Sequence, residues 1–310
     1  MPLAPGQIVG DKYAIVRLLG EGGMGAVYEA SDRVSSRPVA IKVLLPAMAR
    51  DPECVARFDR EARVAARVKS PYLAEVLDIG NMPSGERFIV MELLDGESLQ
   101  SRLEKMGPMT VKDVLRFTFQ LLDGLARVHD AGVVHRDLNP HNVYLAKMRS
   151  GETVKIIDFG LAKIEHEEAA GVARITRPGS VLGTPHFMSP EQARGQMREV
   201  DARSDLYAVG VIIYRAITGT LPFKSPSYVD LAMKINYETP PSPLELVPGL
   251  DKNFAAIIQK AMAKDKNARY ASAREFLAAL AHWAGLPVVS DMALDTTAPS
   301  GVIEVAPKVK

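Results

Sequence analysis

Hydrophobic and polar positions alternate in short runs through the first part of the chain and follow a helical period in the second part. Alternating or β-branched runs predict five strands, at residues 13–19, 26–30, 38–45, 75–79 and 87–92. One helix is predicted among them, at residues 53–68, because Phe58, Ala62 and Ala65 recur at helical spacing. The first part is therefore predicted to be a sheet with one helix.

The second part, from about Leu99 onward, is predicted to be mainly helical. Residues 111–130 form a long periodic segment that follows Thr110, a residue suited to capping a helix N-terminus. Residues 203–218 are apolar around almost the whole circumference, which predicts a buried central helix. Amphipathic patterns predict three further helices, at residues 227–236, 252–263 and 272–284.

These patterns divide the chain into four regions and predict an α+β fold with two lobes. Residues 1–10 are expected to be an N-terminal extension, residues 11–94 a strand-rich lobe and residues 95–285 a helical lobe. Residues 286–310 contain small residues, Pro and Thr without periodicity, and are expected to form a disordered tail or linker.

Composition excludes some classes of function. Lys and Arg exceed Asp and Glu by 38 to 37, so the net charge of +1 does not favour nucleic acid or an anionic membrane as a partner. Cys54 is the single cysteine, which excludes an internal disulfide and suits a reducing cytosol. The sequence shows neither a signal-peptide pattern nor an apolar run of about 20 residues. A cytoplasmic protein without a membrane segment is expected.

A glycine-rich turn connects the first two predicted strands. Gly20, Gly22, Gly25 and Val27 fit the pattern G-x-G-x-x-G-x-V. Glycines allow the backbone to approach phosphate oxygens closely. Dinucleotide-binding folds use the same spacing, but there the third glycine opens a helix, whereas here a strand follows. The pattern favours a phosphate-covering hairpin, and a purely structural turn is the alternative.

Lys42 lies in a predicted strand that is otherwise half buried, within Val39-Ala40-Ile41-Lys42. A surface lysine is the simplest interpretation, but Glu61 in the following helix offers a carboxylate partner. An ion pair between these two side chains would hold Lys42 against the α- and β-phosphates of a nucleotide.

Three further polar residues form an acid and metal set. Asn142 and Asp158 supply the hard oxygen ligands that Mg²⁺ prefers, and Asp137 would accept or orient the proton of an incoming hydroxyl. Each residue alone is more typical of a helix cap or a turn. The first motif is His135-Arg-Asp137-Leu-Asn-Pro-His-Asn142, and Asp158-Phe-Gly follows after a short predicted strand. This order and spacing indicate phosphoryl transfer.

The combined motifs resemble those of the eukaryotic-like (Hanks-type) bacterial Ser/Thr protein kinases, over about residues 11–285. Gly183-Thr184-Pro185 and Ser189-Pro-Glu-Gln-Ala-Arg-Gly195 are similar to that branch. The resemblance implies the bilobal protein-kinase fold, with a small antiparallel sheet and one helix in the first lobe. It also implies ATP with Mg²⁺ or Mn²⁺, protein substrates with Ser or Thr hydroxyls, and a transient homodimer for trans-autophosphorylation.

The resemblance assigns further roles position by position. Met91 corresponds to the gatekeeper, Glu92 and Leu94 would offer backbone groups to adenine, and Leu19, Val27 and Ala40 would enclose its ring. Thr184 would hydrogen-bond into the catalytic loop, and Arg136 would receive an activation-loop phosphate. Glu191 and Arg269 would form a buried ion pair, and Asp205 would brace the backbone at His135 and Arg136. The other histidines, His129, His166, His186 and His282, do not form a metal pattern and are expected to have surface or packing roles.

Asn139 departs from the family pattern, because the position two residues after the catalytic Asp is normally a lysine that contacts the transferring phosphate. Loss of one hydrogen bond to a charged group costs about 1.5–3 kcal/mol, or roughly 10- to 150-fold in rate. The sequence therefore predicts a slowed enzyme. His141 stands where tyrosine kinases often place a cation, and when protonated it would partly replace the lysine. The alternative is that His141 only packs in the loop.

Residues between Gly160 and Ser189 include two candidate phosphorylation sites, Thr176 and Ser180. A phosphate on either would pair with Arg136 and order this segment; an unmodified, solvated hydroxyl is the alternative. A pseudokinase, which binds nucleotide without transferring phosphate, is the competing function. Asn139 is its only support in the sequence.

Overall fold

The structure is a computed structural model, and it describes residues 3–22, 25–158 and 185–287, except for the side chains of residues 57, 61 and 64. Within these ranges the first lobe contains a six-stranded antiparallel sheet of order β1-β2-β3-β4-β6-β5. Its strands are β1 (Ile8–Val9), β2 (Tyr13–Glu21), β3 (Gly25–Asp32), β4 (Pro38–Leu44), β5 (Val76–Asn81) and β6 (Arg87–Glu92). Two helices, α1 (Pro46–Ala49) and α2 (Pro52–Arg67), lie between β4 and β5.

Strand alternation gives the sheet two different faces. Tyr28, Ile41 and Val43 are buried in a core on one face. On the other face, Leu44 and Ile89 pack with Phe58 and Ala62 of α2, among others. The predicted strands and the predicted helix are therefore present.

The segment expected to be an N-terminal extension contributes to this sheet. Ile8 and Val9 form the short edge strand β1, and they pair with Ala14 and Tyr13 of β2. The sheet thus begins before residue 11. A two-residue strand carries too little pattern to be recognised in the sequence.

The second lobe surrounds the long helices α4 (Val111–Asp130) and α6 (Ala202–Thr218), which contact each other. Its other helices are α3 (Leu99–Met106), α5 (Pro190–Ala193), α7 (Tyr228–Tyr237), α8 (Pro243–Leu246), α9 (Lys252–Ala261) and α10 (Ala273–Ala284). Thr110 caps α4 by accepting a hydrogen bond from the Asp113 backbone N–H. Most of α6 is buried, as its apolar circumference predicts.

A small sheet interrupts the helical lobe, where the sequence predicted only one short strand before Asp158. Strands β7 (Gly96–Ser98), β8 (Val143–Met148) and β9 (Gly151–Ile156) pair antiparallel in this order. Asn142 immediately precedes β8, and Asp158 closely follows β9. The hairpin therefore brings the two ends of the sequence motif together, because the Ile157 backbone N–H donates to the Asn142 carbonyl oxygen at 3.0 Å.

Candidate active site

Strand register places the residues expected to line a nucleotide site on one face of the first-lobe sheet. Val27 lies opposite Lys42 across β3 and β4, and Ala40 lies opposite Met91 across β4 and β6. Ile41, between Ala40 and Lys42, is buried in the core on the other face. The three positions Val27, Ala40 and Lys42 therefore share a surface, since side chains alternate along a strand.

The remaining residues expected to contact adenine lie at the ends of strands. Leu19 is exposed in β2, Glu92 is the last residue of β6, and Leu94 follows shortly after it. Glu92 therefore lies where the chain leaves the first lobe and approaches β7 of the second lobe.

The glycine turn has one glycine that the fold requires and two that it does not. The Gly22 N–H donates to the Gly25 carbonyl oxygen at 2.9 Å, which closes the turn between β2 and β3. A Cβ atom at Gly25 would lie 2.7 Å from the backbone oxygen of Val43, too close for any other residue. At Gly20 nothing lies within 4 Å of such an atom, and at Gly22 the nearest atom is 3.8 Å away. Protein packing thus explains Gly25 but not Gly20 or Gly22.

Lys42 of the first lobe is bonded to Asp158 of the second lobe. The Lys42 Nζ–Asp158 Oδ1 distance is 2.7 Å, and the Lys42 side chain is the more buried of the two. Asp158 has a φ of 53°, in the left-handed region that a non-glycine residue rarely adopts. The Glu61 side chain lies outside the described residues, and with it the predicted Lys42–Glu61 pair. A left-handed aspartate is typical of a site where backbone strain serves function.

Asp137 and Asn142 are joined directly. Asn142 Nδ2 donates to the Asp137 backbone oxygen at 2.9 Å and to Asp137 Oδ2 at 3.3 Å. Since its amide nitrogen is used in this way, the amide oxygen is the Asn142 atom suited to a hard metal ion. Together with the Asp158 carboxylate, it makes a donor set that fits Mg²⁺.

Asn139 is buried and acts within the loop itself. Its Nδ2 donates to the Asp137 backbone oxygen at 2.8 Å, and its Oδ1 accepts from the His141 backbone N–H at 2.9 Å. Only 4% of Asn139 is exposed. His141, in contrast, is exposed.

The loop is also braced from α6. Asp205 accepts hydrogen bonds from the backbone N–H groups of His135 and Arg136, each at 2.8 Å, as the resemblance implies. His129 Nε2 lies 2.8 Å from the same carboxylate. His129 therefore adds a hydrogen bond to the packing role expected from the sequence. Its partner is 76 residues away in the sequence, and the local pattern contains no sign of it.

Arg136 adopts a strained backbone conformation, with a φ of 67°. Gln192 Nε2 donates to its carbonyl oxygen at 2.7 Å, which links the catalytic loop to α5. Arg136 Nε is buried and has no hydrogen-bond partner among the residues described.

Glu191 and Arg269 form a bidentate ion pair, with both N–O distances at 2.8 Å. Ser204 Oγ donates to Glu191 Oε1 at 2.5 Å. Burial alone raises the pKa of Glu191, but the hydrogen bonds and charge of Arg269, with the Ser204 hydroxyl, lower it to about 2. This pair ties α5 to the segment before α10.

One buried ion pair close to the site was not predicted from the sequence. Lys155 Nζ in β9 lies 2.6 Å from Glu92 Oε1 and 3.2 Å from the Leu73 carbonyl oxygen. Glu92 Oε1 also accepts from the Glu75 backbone N–H at 2.9 Å. The signal available was Lys155 itself, a lysine within the apolar run before Asp158. The pair joins the last residue of β6 to the strand that leads to Asp158.

Several expected residues lie outside the described ranges. Thr176, Ser180 and Thr184 fall within residues 159–184, and most of the expected tail falls within residues 288–310. In the ranges that are described, no helix is both long and apolar enough to cross a membrane.

Comparison with known proteins identifies the family. A protein kinase domain model matches residues 13–282. The chain is 42% identical over 278 residues to serine/threonine-protein kinase pkn3 of Myxococcus xanthus, a match that covers 89% of this chain and 50% of that protein. It is 38% identical over 273 residues to serine/threonine-protein kinase PknB of Mycobacterium tuberculosis, with 87% and 42% covered. The chain belongs to the protein kinase domain family, in its Hanks-type bacterial Ser/Thr branch.

A solved structure agrees with this assignment. The PknI kinase domain of Mycobacterium tuberculosis is 29% identical, with a TM-score of 0.70, and the match covers 92% of this chain and 100% of that one. The bilobal kinase fold predicted from the sequence is thereby confirmed. The chain spans about half the length, or less, of the curated relatives named above.

Proposed function

We propose that this chain is an active Ser/Thr protein kinase that transfers the γ-phosphate of ATP to Ser and Thr hydroxyls of protein substrates. The observation that carries the proposal is the connected set of polar groups in the cleft. Lys42 contacts Asp158, the residue before Asp158 is bonded to Asn142, and Asn142 contacts Asp137. A pseudokinase is disfavoured because none of these groups has been replaced.

Each of these groups has a role in the proposed reaction. Lys42 binds the α- and β-phosphates, and Glu61 holds its ammonium in place. Asn142 and Asp158 would hold Mg²⁺, or Mn²⁺ in its place, through their side-chain oxygens, and the bound ion would supply positive charge beside the transferring phosphate. Asp137 orients the acceptor hydroxyl and takes its proton.

The nucleotide lies between residues 11–94 and 95–285, which act as the two lobes. Adenine bonds the backbone at Glu92 and Leu94, below the gatekeeper Met91. The open space at Gly20 and Gly22 supports close approach of the phosphates to the glycine turn. ATP dependence supports a cytoplasmic location.

The experiment compares γ-phosphate transfer by the wild type and by Asp158→Ala, with Asp95→Ala as a control for an exposed aspartate. Asp158→Ala is expected to abolish transfer, and Asp95→Ala to retain it. Equal incorporation by the wild type and Asp158→Ala would assign the activity to a contaminant and overturn the proposal.

His141 is proposed to replace the missing lysine in part, by placing a protonated imidazole beside the γ-phosphate. Its exposure next to the braced loop supports this role. His141→Ala is expected to lower the rate constant of transfer about tenfold. An unchanged rate constant would remove His141 from the reaction.

Arg136 is proposed to receive a phosphate on Thr176 or Ser180, added by trans-autophosphorylation in a transient homodimer. Its buried Nε without a hydrogen-bond partner in the described ranges supports this role. Mass mapping after incubation with Mg-ATP should find phosphate on one of the two residues. Phosphate on neither residue would contradict the proposal.

A further inference from the structure

The cationic side chain of Arg215 is connected to the catalytic loop, residues 135–142, through one intervening residue, Gln100. Arg215, in the last turn of α6, donates from Nη1 to Gln100 Oε1 at 2.7 Å, and its guanidinium carbon is 6.0 Å from the centre of the Phe187 ring. The Gln100 backbone N–H donates to the Pro140 carbonyl oxygen at 3.0 Å, and Pro140 belongs to the catalytic loop. Gln100 therefore connects Arg215 to the residue that precedes exposed His141.

His186 and Lys224 extend this cationic surface. Burial, followed by the positive charges of Arg215 and Lys224, lowers the pKa of His186. His186 Nδ1 is buried without a hydrogen-bond partner among the described residues. Burial also lowers the pKa of Arg215, and the carboxylate of Glu104 opposes this effect. The charges of Arg215 and Lys224 thus both act on His186, which directly precedes the Phe187 ring that faces Arg215.

Within the described ranges the hydrogen-bond partner of Arg215 is the neutral amide of Gln100, so others of its five N–H donors can bind another group. A half-buried guanidinium gains more from a carboxylate than a fully solvated one does, because less water screens the pair. A carboxylate here would also raise the pKa of His186 and so favour a third cation beside Arg215 and Lys224. The chemistry of this surface therefore fits an anionic ligand.

The surface adjoins the loop that carries Asp137, the residue proposed to orient the acceptor hydroxyl. In the proposed reaction, Lys42, Asn142 and Asp158 hold the donor, so the acceptor hydroxyl reaches Asp137 from the remaining open side of the loop. His141 is exposed on this loop, and the preceding residue, Pro140, is bonded to Gln100, which in turn binds Arg215.

We propose that Arg215, Lys224 and His186 form a recognition site for acidic residues that flank the acceptor hydroxyl, so that acidic protein segments are the preferred substrates. This inference rests on the proposed kinase function. The site concerns substrates other than the chain itself: Arg174 and Arg177 surround Thr176 in the sequence, so trans-autophosphorylation there depends on the high effective concentration within a dimer.

The test uses three peptide sets of equal length around one Thr, with Asp, Gln or Lys flanking it on the N-terminal or the C-terminal side. For the wild type, kcat/KM is expected to be about tenfold higher for an acidic set than for the neutral set. Arg215→Gln/Lys224→Gln should reduce this ratio to near one. Arg215→Glu/Lys224→Glu should invert it in favour of Lys peptides, a result that a misfolded protein cannot produce.

Lys252→Glu is the matched control, because Lys252 is exposed on α9, away from this surface. It should keep the wild-type preference. Equal kcat/KM for all three sets, or an acidic preference that survives the double Gln substitution, would overturn the inference while the kinase function stands. Absence of transfer to every peptide and to the chain itself would overturn both.

Discussion

At the scale of the residue, Asn139 changes meaning once its contacts are known. Compared with the family pattern, Asn139 is the loss of a cation, and the decrease in rate predicted from the sequence rests on that loss alone. The structure shows a buried side chain that joins the Asp137 carbonyl to the His141 N–H. Asn139 therefore positions the loop that carries the proposed base and the exposed histidine.

Asn139→Ala is expected to lower both stability and transfer. It removes two hydrogen bonds and leaves buried groups unsatisfied, at a cost of about 1–3 kcal/mol. Urea unfolding and kcat measure the two effects. Asn253→Ala, at an exposed position of α9, should change neither. An Asn139→Ala variant as stable and as active as wild type would show that the loop holds its shape without this side chain.

Gly20 and Gly25 offer a matched pair of substitutions to alanine. Gly25→Ala is expected to lower the melting temperature by several degrees, because its Cβ would meet the Val43 backbone oxygen. Gly20→Ala meets open space, so stability should be unchanged while KM for ATP rises several-fold through contact with phosphate. Differential scanning fluorimetry and ATP titration separate the two. Loss of stability in Gly20→Ala would contradict the proposed ligand role of the open space.

At the scale of the element, strand β9 leads to Asp158 and also holds the end of β6 in position. Through Lys155 it bonds the Glu92 carboxylate and the Leu73 carbonyl, so it fixes the end of β6 and the approach to β5. A strand of the second lobe thereby positions the backbone proposed to bind adenine. Lys155 is a positioning residue in this scheme.

Lys155→Met is expected to raise KM for ATP more than it lowers kcat. It leaves Glu92 as an unpaired carboxylate that is largely buried, and breaking such a pair costs about 3–5 kcal/mol. Lys155→Arg should restore part of the affinity. Lys147→Met, at an exposed lysine of the same hairpin, is the control. A Lys155→Met variant that loses kcat at an unchanged KM would contradict the positioning role.

At the scale of the whole molecule, ion pairs between distant segments hold the site together. Lys42 and Asp158 are 116 residues apart and join the two lobes. Glu191 and Arg269 are 78 residues apart and anchor α5, whose Gln192 holds the Arg136 carbonyl. The stability of the second lobe therefore depends on the charge of Glu191.

Acid should remove this contribution in a defined range of pH. The pKa of Glu191 is about 2 in the folded chain and about 4.5 when unfolded, so the ion pair stabilises fully above about pH 4.5. Its contribution of about 3 kcal/mol is lost as the pH falls towards 2. Between about pH 4.5 and pH 2, the difference in unfolding free energy between wild type and Glu191→Gln is expected to decrease by this amount. The control Glu245→Gln, on α8, is expected to show the same pH dependence of unfolding free energy as wild type. A constant difference would mean that Glu191 is not the group that titrates.

Periodicity predicted the principal elements of both lobes, because the strands of the first sheet and the long helices bury one face or nearly all of their surface. It did not predict β1 or β7, which have two and three residues. It predicted a single short strand before Asp158, where the structure has the β8–β9 hairpin. Short pairings are decided by neighbouring backbone, which no local pattern records.

The sequence alone determined the family and the two-lobed architecture, because motif order and spacing can be recognised without a structure. It also predicted the set Lys42, Asp137, Asn142 and Asp158, which the structure connects by hydrogen bonds. Only the tertiary structure decided how polar groups are paired. It assigned His129 to Asp205, Lys155 to Glu92, Asn139 to its own loop and Arg215 to the margin of the site. Such pairs join residues that are distant in the sequence and close in the fold, and the burial of each pair sets the strength of its interaction. The local sequence pattern therefore predicts neither which residues pair nor how strongly they interact.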